Sequence, residues 1–171
     1  MNSPPTILVG ITSRAVHVRV EGKGSFQNSP ALKEFSKHMV ERGYRHFVID
    51  LNGCPVMDST FMGTLAGIAL RLREFGTGSL LVRNANERNW DLLQNLGLNN
   101  LFAVESKGSE LTTENPVGAA PLQLDHPIDR SDQAECMIAA HEALVDADPE
   151  NFARFKDVLE YLKQDLRAGS K

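Results

Sequence analysis

The chain has 171 residues, of which 42% are hydrophobic and 23% charged, a composition ordinary for a globular protein with a sizeable core. Its formal net charge is −4 and its basic residues are scattered, so we expect no direct binding of nucleic acid. The sequence has neither a secretory signal pattern nor an apolar run long enough to span a bilayer, so no membrane contact is expected and the predicted location is cytoplasmic.

The chain opens with two β-rich runs and a helix. Residues 7–11 and 15–20 are separated by three residues, and the second run alternates, so a β-hairpin is predicted. Ser29 is the predicted N-cap of the following helix, with Pro30 at its first position and Gly43 at its end.

A buried strand and the helix after it form the centre of the chain. Residues 47–51, FVIDL, are typical of a strand buried on both faces. Asp58 is the predicted N-cap of the next helix, which makes Ser59 its first residue. Helical spacing places one apolar stripe toward the core: Phe61, Leu65, Ile68, Leu72 and Phe75.

The opposite face of this central helix is also apolar or small. Helical geometry places on it Ser59, Met62, Gly63, Ala66 and Leu70. Surface helices normally carry charge on their outer face, so this face is expected to be covered by another element or kept for a partner, with Asp58 and Thr60 beside it. A phosphate on Ser59 would be favoured by the helix N-terminus.

Three more segments complete the first unit. Residues 79–83 and 100–104 are predicted strands, and a helix capped by Asn84 or Asn86 lies between them and ends at Gly97. The order β-β-α-β-α-β-α-β predicts an α/β fold with a mixed or largely parallel sheet and helices packed on it.

The C-terminal third of the chain differs from the rest in composition and in hydrophobic pattern. We predict a first domain over residues 1–104, a proline-bearing linker over 105–131, and a helical hairpin over 132–171. The second helix of the hairpin has an apolar seam of Phe152, Phe155, Leu159, Leu162 and Leu166. Such a seam should be buried, so we expect either a homodimer through the hairpin or an intramolecular clasp that leaves the Ser59 face free.

Candidate chemical sites are few. Five dispersed histidines and the distant Cys54 and Cys136 predict no metal site, and Cys54 is interpreted as a small loop residue. No nucleophile with a base can be assembled from the sequence, so neither enzymatic turnover nor a cofactor is expected.

The segment Asp58-Ser59-Thr60-Phe61-Met62-Gly63 follows a V-I-D-L strand and resembles the D-S-[ST]-G-[LM]-G segment of the STAS domain family, the anti-sigma factor antagonists. The resemblance covers about residues 6–104 and includes the N-L-G-L that ends the third helix. Phe61 stands where the family usually has glycine. The resemblance implies a STAS-like fold and phosphorylation of Ser59 by a serine kinase of the histidine-kinase-like ATPase type.

The implied function is a phosphorylation-regulated binding module. It would bind a serine-kinase anti-sigma factor when Ser59 is free and release it when Ser59 is phosphorylated, with a serine phosphatase as a second partner. Two alternatives stay open. One is a structural subunit or assembly scaffold in which Ser59 has no signalling role, and the other is a nucleotide- or small-anion-binding module that uses the helix N-terminus.

Overall fold

A computed structural model describes residues 5–12, 14–106, 119–124 and 126–169. It contains a six-stranded sheet in the order β5-β4-β3-β2-β1-β6. The strands are β1 (Thr6–Ile11), β2 (Val16–Glu21), β3 (His46–Gly53), β4 (Ser79–Ala85), β5 (Ala103–Ser106) and β6 (Ala120–Pro121). β1 is antiparallel to β2 and β6, whereas β2 to β5 are parallel, so the predicted mixed sheet is confirmed.

Five α-helices accompany the sheet in the described part of the chain. They are α1 (Ser29–Glu41), α2 (Ser59–Glu74), α3 (Glu87–Asn95), α4 (Arg130–Ala147) and α5 (Asn151–Gly169). The predicted order of elements and the C-terminal helical pair are therefore confirmed. The core forms between the sheet and α2, whose Phe61, Leu65 and Leu72 are almost fully buried together with Phe47 and Ile49 of β3.

Three predicted boundaries are wrong in detail. Asn28, not Ser29, precedes α1, because the Ser29 hydroxyl donates to the carbonyl of Ser25 at 2.6 Å from inside the first turn. Residues 98–100 form a 3₁₀ turn after Gly97, whose φ of 74° reverses the chain, so β5 begins only at residue 103. The predicted linker contains the end of β5 and all of β6, while its residues 107–118 and 125 lie outside the described ranges.

The C-terminal hairpin packs on the first domain through α4. Within the apolar seam of α5, Leu159 and Leu162 are buried and Phe155 is partly buried against the core. Phe152, however, is 57% exposed, so the expectation that the whole seam is covered is wrong at its first position. The hairpin also covers the Ser59 face of α2, so the expectation of a clasp that leaves this face free is wrong. The cause is the small side chains of that face, which allow α4 to approach closely.

Phe61 occupies its place in the core because residue 24 has no side chain. A Cβ built on Gly24 would lie 2.8 Å from the Phe61 ring, which is fully buried and cannot yield. We therefore expect Gly24→Ala to lower the free energy of unfolding by about 1–3 kcal/mol, as overpacking of a core does. Urea unfolding followed by circular dichroism measures this change.

The control is Gly24→Ala in a variant whose residue 61 has a smaller side chain. In a Phe61→Leu background the added methyl group has more space, so Gly24→Ala should cost clearly less. Gly24 does not have a positive φ, so backbone strain does not contribute. An equal cost in both backgrounds would show that the ring contact is not the reason.

Candidate functional site

The Asp58 carboxylate organises the start of α2. Its Oδ1 accepts from the Phe61 amide at 2.9 Å, which confirms Asp58 as the N-cap. Its Oδ2 accepts from the amide of Phe26 at 2.9 Å, and the Asp58 amide donates to the carbonyl of Gly24 at 2.9 Å. The carboxylate thus joins the loop after β2 to the first turn of α2, and it places Ser59 in a defined position beside both.

The loop before Asp58 is held from its other side by two asparagines. Asn89 donates to the carbonyl of Cys54 at 2.9 Å, and Asn86 donates to that of Pro55 at 3.1 Å. Asn86 also caps α3, since its side chain accepts from the Asn89 amide at 2.7 Å. Of the two predicted caps, Asn86 is therefore the one used, while Asn84 has a φ of 58° and donates to Asp50.

Ser59 makes its side-chain contact with a residue 82 positions away. Its Oγ lies 2.9 Å from Nε2 of His141 on α4, and the other ring nitrogen, Nδ1, lies 2.7 Å from the Met137 carbonyl. A carbonyl only accepts, so Nδ1 carries a proton, and in the neutral ring Nε2 accepts the Ser59 hydroxyl proton. The His141 ring is buried and meets Phe155 edge-on, with ring centroids 5.1 Å apart.

The rest of the predicted partner face is buried in this structure. A Cβ built on Gly63 would collide with the Ala140 carbonyl of α4, and one on Gly67 would lie 3.8 Å from the Ala143 Cβ. Most residues of the predicted partner-binding set are buried, and the partly buried ones are Asp58, Ser59 and Leu70. Thr60, the neighbouring hydroxyl, is only 3% exposed. That these residues bind a partner stays a prediction.

His141 and Gln133 were not predicted to belong to this site. Gln133 donates to the carbonyl of Phe26 at 2.8 Å, so α4 contacts the same peptide that Asp58 holds. In the sequence, His141 has helical spacing with the apolar residues Met137 and Leu144, which indicates that its side chain faces another element. Its partner could not be predicted, because nothing in the sequence relates α4 to α2.

Cys54 and Cys136 are both free and buried. Burial raises the pKa of the Cys54 thiol and that of the Cys136 thiol, the latter against an opposing effect of Lys33. Cys136 lines a cavity of about 160 Å³ between α1, α2 and α4. Among the described residues, no group of histidine, cysteine and carboxylate side chains is arranged to hold a metal ion. None of the helices described combines the length and hydropathy of a membrane-crossing segment.

Comparisons with known proteins agree with this architecture. The family model of the STAS domain matches residues 6–112, which is more than half of the chain. An anti-sigma factor antagonist from Mycobacterium paratuberculosis is structurally similar, with a TM-score of 0.54, 23% identity, and coverage of 61% of this chain and 90% of that one. The anti-sigma factor antagonist SpoIIAA in its unphosphorylated form has a TM-score of 0.51, 18% identity, and coverage of 58% and 86%. No curated protein matches the sequence.

The raised thiol pKa values predict slow reaction of both cysteines in the folded protein. At pH 7.5 the thiolate is the reactive form, so we expect labelling by 5,5′-dithiobis(2-nitrobenzoate) to be at least about tenfold slower than in urea. Absorbance at 412 nm follows the reaction. A Cys54→Ala variant assigns the remaining signal to Cys136, and a thiol that reacted as fast folded as unfolded would contradict the prediction.

Proposed function

Because the chain belongs to the STAS domain family, we propose that it is a phosphorylation-regulated protein-binding module of the anti-sigma factor antagonist kind. It binds a serine-kinase anti-sigma factor of the histidine-kinase-like ATPase type while Ser59 is unphosphorylated. Phosphorylation of Ser59 by that kinase ends the binding, and a serine phosphatase restores it. The module acts in the cytoplasm and regulates transcription through its partner, without contacting nucleic acid itself.

The observation that carries the proposal is the position of Ser59. Asp58 provides the cap of α2, so the Ser59 hydroxyl is not needed for capping and points out of its own helix toward α4. A phosphate there would add about 1.5–2 negative charges beside the Asp58 carboxylate and on an otherwise apolar contact face. Like charge and desolvation would both oppose a partner that packs dry on Met62 and Leu70.

We also propose that the protein has no turnover of its own. The Ser59–His141 pair has the distance of a nucleophile with its base, although the sequence predicts no such pair. However, Nδ1 of His141 is bound to a backbone carbonyl and not to a carboxylate, and the ring lies inside the α2–α4 contact. The pair is therefore better suited to hold two helices together than to accept a substrate.

Phosphate incorporation tests the assignment of Ser59. We expect a kinase-dependent mass increase on the protein in extracts of its host, because only Ser59 offers a partly exposed hydroxyl at the start of α2. Ser59→Ala should abolish it, whereas Thr60→Val, which removes the neighbouring buried hydroxyl, should keep it. Peptide mass spectrometry locates the phosphate, and a phosphate on Thr60 would contradict the proposal.

Binding of the identified kinase tests the direction of the switch. Ser59→Ala should keep its binding, with an affinity at least equal to that of the wild type, and Ser59→Asp should bind at least about tenfold more weakly, because a carboxylate places charge on the contact face. Isothermal titration calorimetry measures both. Equal affinity of Ser59→Asp and the wild type would favour the scaffold alternative.

The absence of turnover has its own test. Purified protein should hydrolyse p-nitrophenyl acetate and ATP no faster than buffer does, and His141→Ala should change neither rate. Hydrolysis that disappeared in both Ser59→Ala and His141→Ala would identify the pair as catalytic and would overturn this part of the proposal.

A further inference from the structure

We propose that the α4–α5 hairpin is an intramolecular lid on the Ser59 face of α2, which consists of Ser59, Met62, Gly63, Ala66 and Leu70. This inference rests on the proposed function. The lid and the partner are alternative occupants of this face, and phosphorylation of Ser59 expels the lid. The kinase therefore acts on a minor open form, and the apparent affinity of the unphosphorylated protein for its partner is reduced by the closed fraction.

The first argument is the lack of space for a phosphate at Ser59. The Ser59 Oγ is already in hydrogen-bond contact with His141 Nε2 at 2.9 Å. The His141 ring cannot easily turn aside, because the Met137 carbonyl holds Nδ1 and Phe155 packs against the ring. A phosphoryl group with three further oxygens must therefore move α4, and the nearby Asp58 carboxylate adds like-charge repulsion.

The second argument is the character of the contact between α2 and α4. Its central residues are small: Gly63, Ala66 and Gly67 on α2, and Ala140 and Ala143 on α4. Small residues permit close approach but each buries little apolar surface, and the cavity of about 160 Å³ beside the contact leaves part of it unpacked. Leu144 of α4 is nevertheless fully buried in the core, so separation of α4 from α2 has a free-energy cost. This cost is smaller than that of disrupting the core under α2, because most of the contacting residues are small.

The third argument is that the hairpin is attached elsewhere. Asn151 at the start of α5 donates to the carbonyl of Leu96 at 2.9 Å and to that of Leu144 at 2.8 Å, and Arg154 donates to the carbonyl of Asn95 at 2.6 Å. These bonds join the α4–α5 turn to the end of α3, away from Ser59. They keep the hairpin nearby after α4 has left the Ser59 face, which makes closure reversible.

The decisive experiment installs phosphoserine at position 59 during synthesis of the full chain, so that no kinase is required. Cys136 reports on the lid, because release of α4 opens the cavity that it lines. Cys54, which is buried in the loop before α2, serves as an internal control. We expect phosphoserine to accelerate the reaction of Cys136 with N-ethylmaleimide at least about tenfold and to leave Cys54 slow. Unchanged labelling of Cys136 would overturn the proposal.

Two glycine variants provide a matched test without phosphate. Gly63→Ala introduces a methyl group that collides with the Ala140 carbonyl, whereas Gly67→Ala, one turn later, has room beside Ala143. Both remove a helical glycine, so both raise the helix propensity of α2 by a similar amount. We expect Gly63→Ala alone to accelerate labelling of Cys136. Equal rates in the two variants, with native circular dichroism, would contradict a separable lid.

A reversible disulfide between α2 and α4 would hold the lid closed. In a variant with Gly67→Cys and Ala143→Cys, the two Cβ atoms would lie about 3.8 Å apart, the mean separation in disulfides. Cys136→Ala in the same variant prevents mispairing. In phosphoserine protein, amide hydrogen exchange in residues 130–147 should be slow when the disulfide is formed and at least about tenfold faster when it is reduced. The lid proposal fails if reduction has no effect. The proposed function fails separately, if no kinase of the host phosphorylates Ser59.

Discussion

The burial of α2 on both sides is the constraint on which the rest of the structure depends. One face carries Phe61 and Leu65 into the sheet, and the other, with Gly63 and Gly67, receives α4. A helix without a charged face cannot remain at the surface, so a further element has to cover it. The C-terminal hairpin does so, and it thereby brings His141 to Ser59.

The Asp58 carboxylate fixes the position of Ser59 within this packing. By capping α2 and holding the amide of Phe26, it fixes the first turn of α2 against the neighbouring loop. Gln133 of α4 bonds to the carbonyl of the same Phe26, so the lid contacts both Ser59 and the loop that Asp58 orders. A charge added at Ser59 would lie beside the Asp58 carboxylate and in the contact with α4. A single modification could therefore change the position of the α4–α5 hairpin.

The proposed lid gives the two helices outside the STAS domain a role. In a module without it, the unphosphorylated face would be open to its partner at all times. With the lid, the partner must compete with α4, and the competition depends on partner concentration and on the closed fraction. The Ser59–His141 bond and the small residues around Gly63 set this balance, since the bond holds α4 down and the small residues let α4 approach closely.

The sequence by itself determined the order of strands and helices, the Asp58 cap and the two apolar faces of α2 as far as Leu72, because these follow from local spacing and backbone chemistry. Phe75, the last residue predicted for the buried stripe, follows the end of α2 and is exposed. His141 follows the helical spacing of Met137 and Leu144 in the sequence, but this spacing does not indicate its contact with Ser59. Only the tertiary structure decided that α4 covers the Ser59 face and that Phe152 remains exposed. The physical reason is that packing between segments separated by a long connection depends on the fit of two surfaces, such as Gly63 against the Ala140 carbonyl, and periodicity within one helix carries no information about its partner.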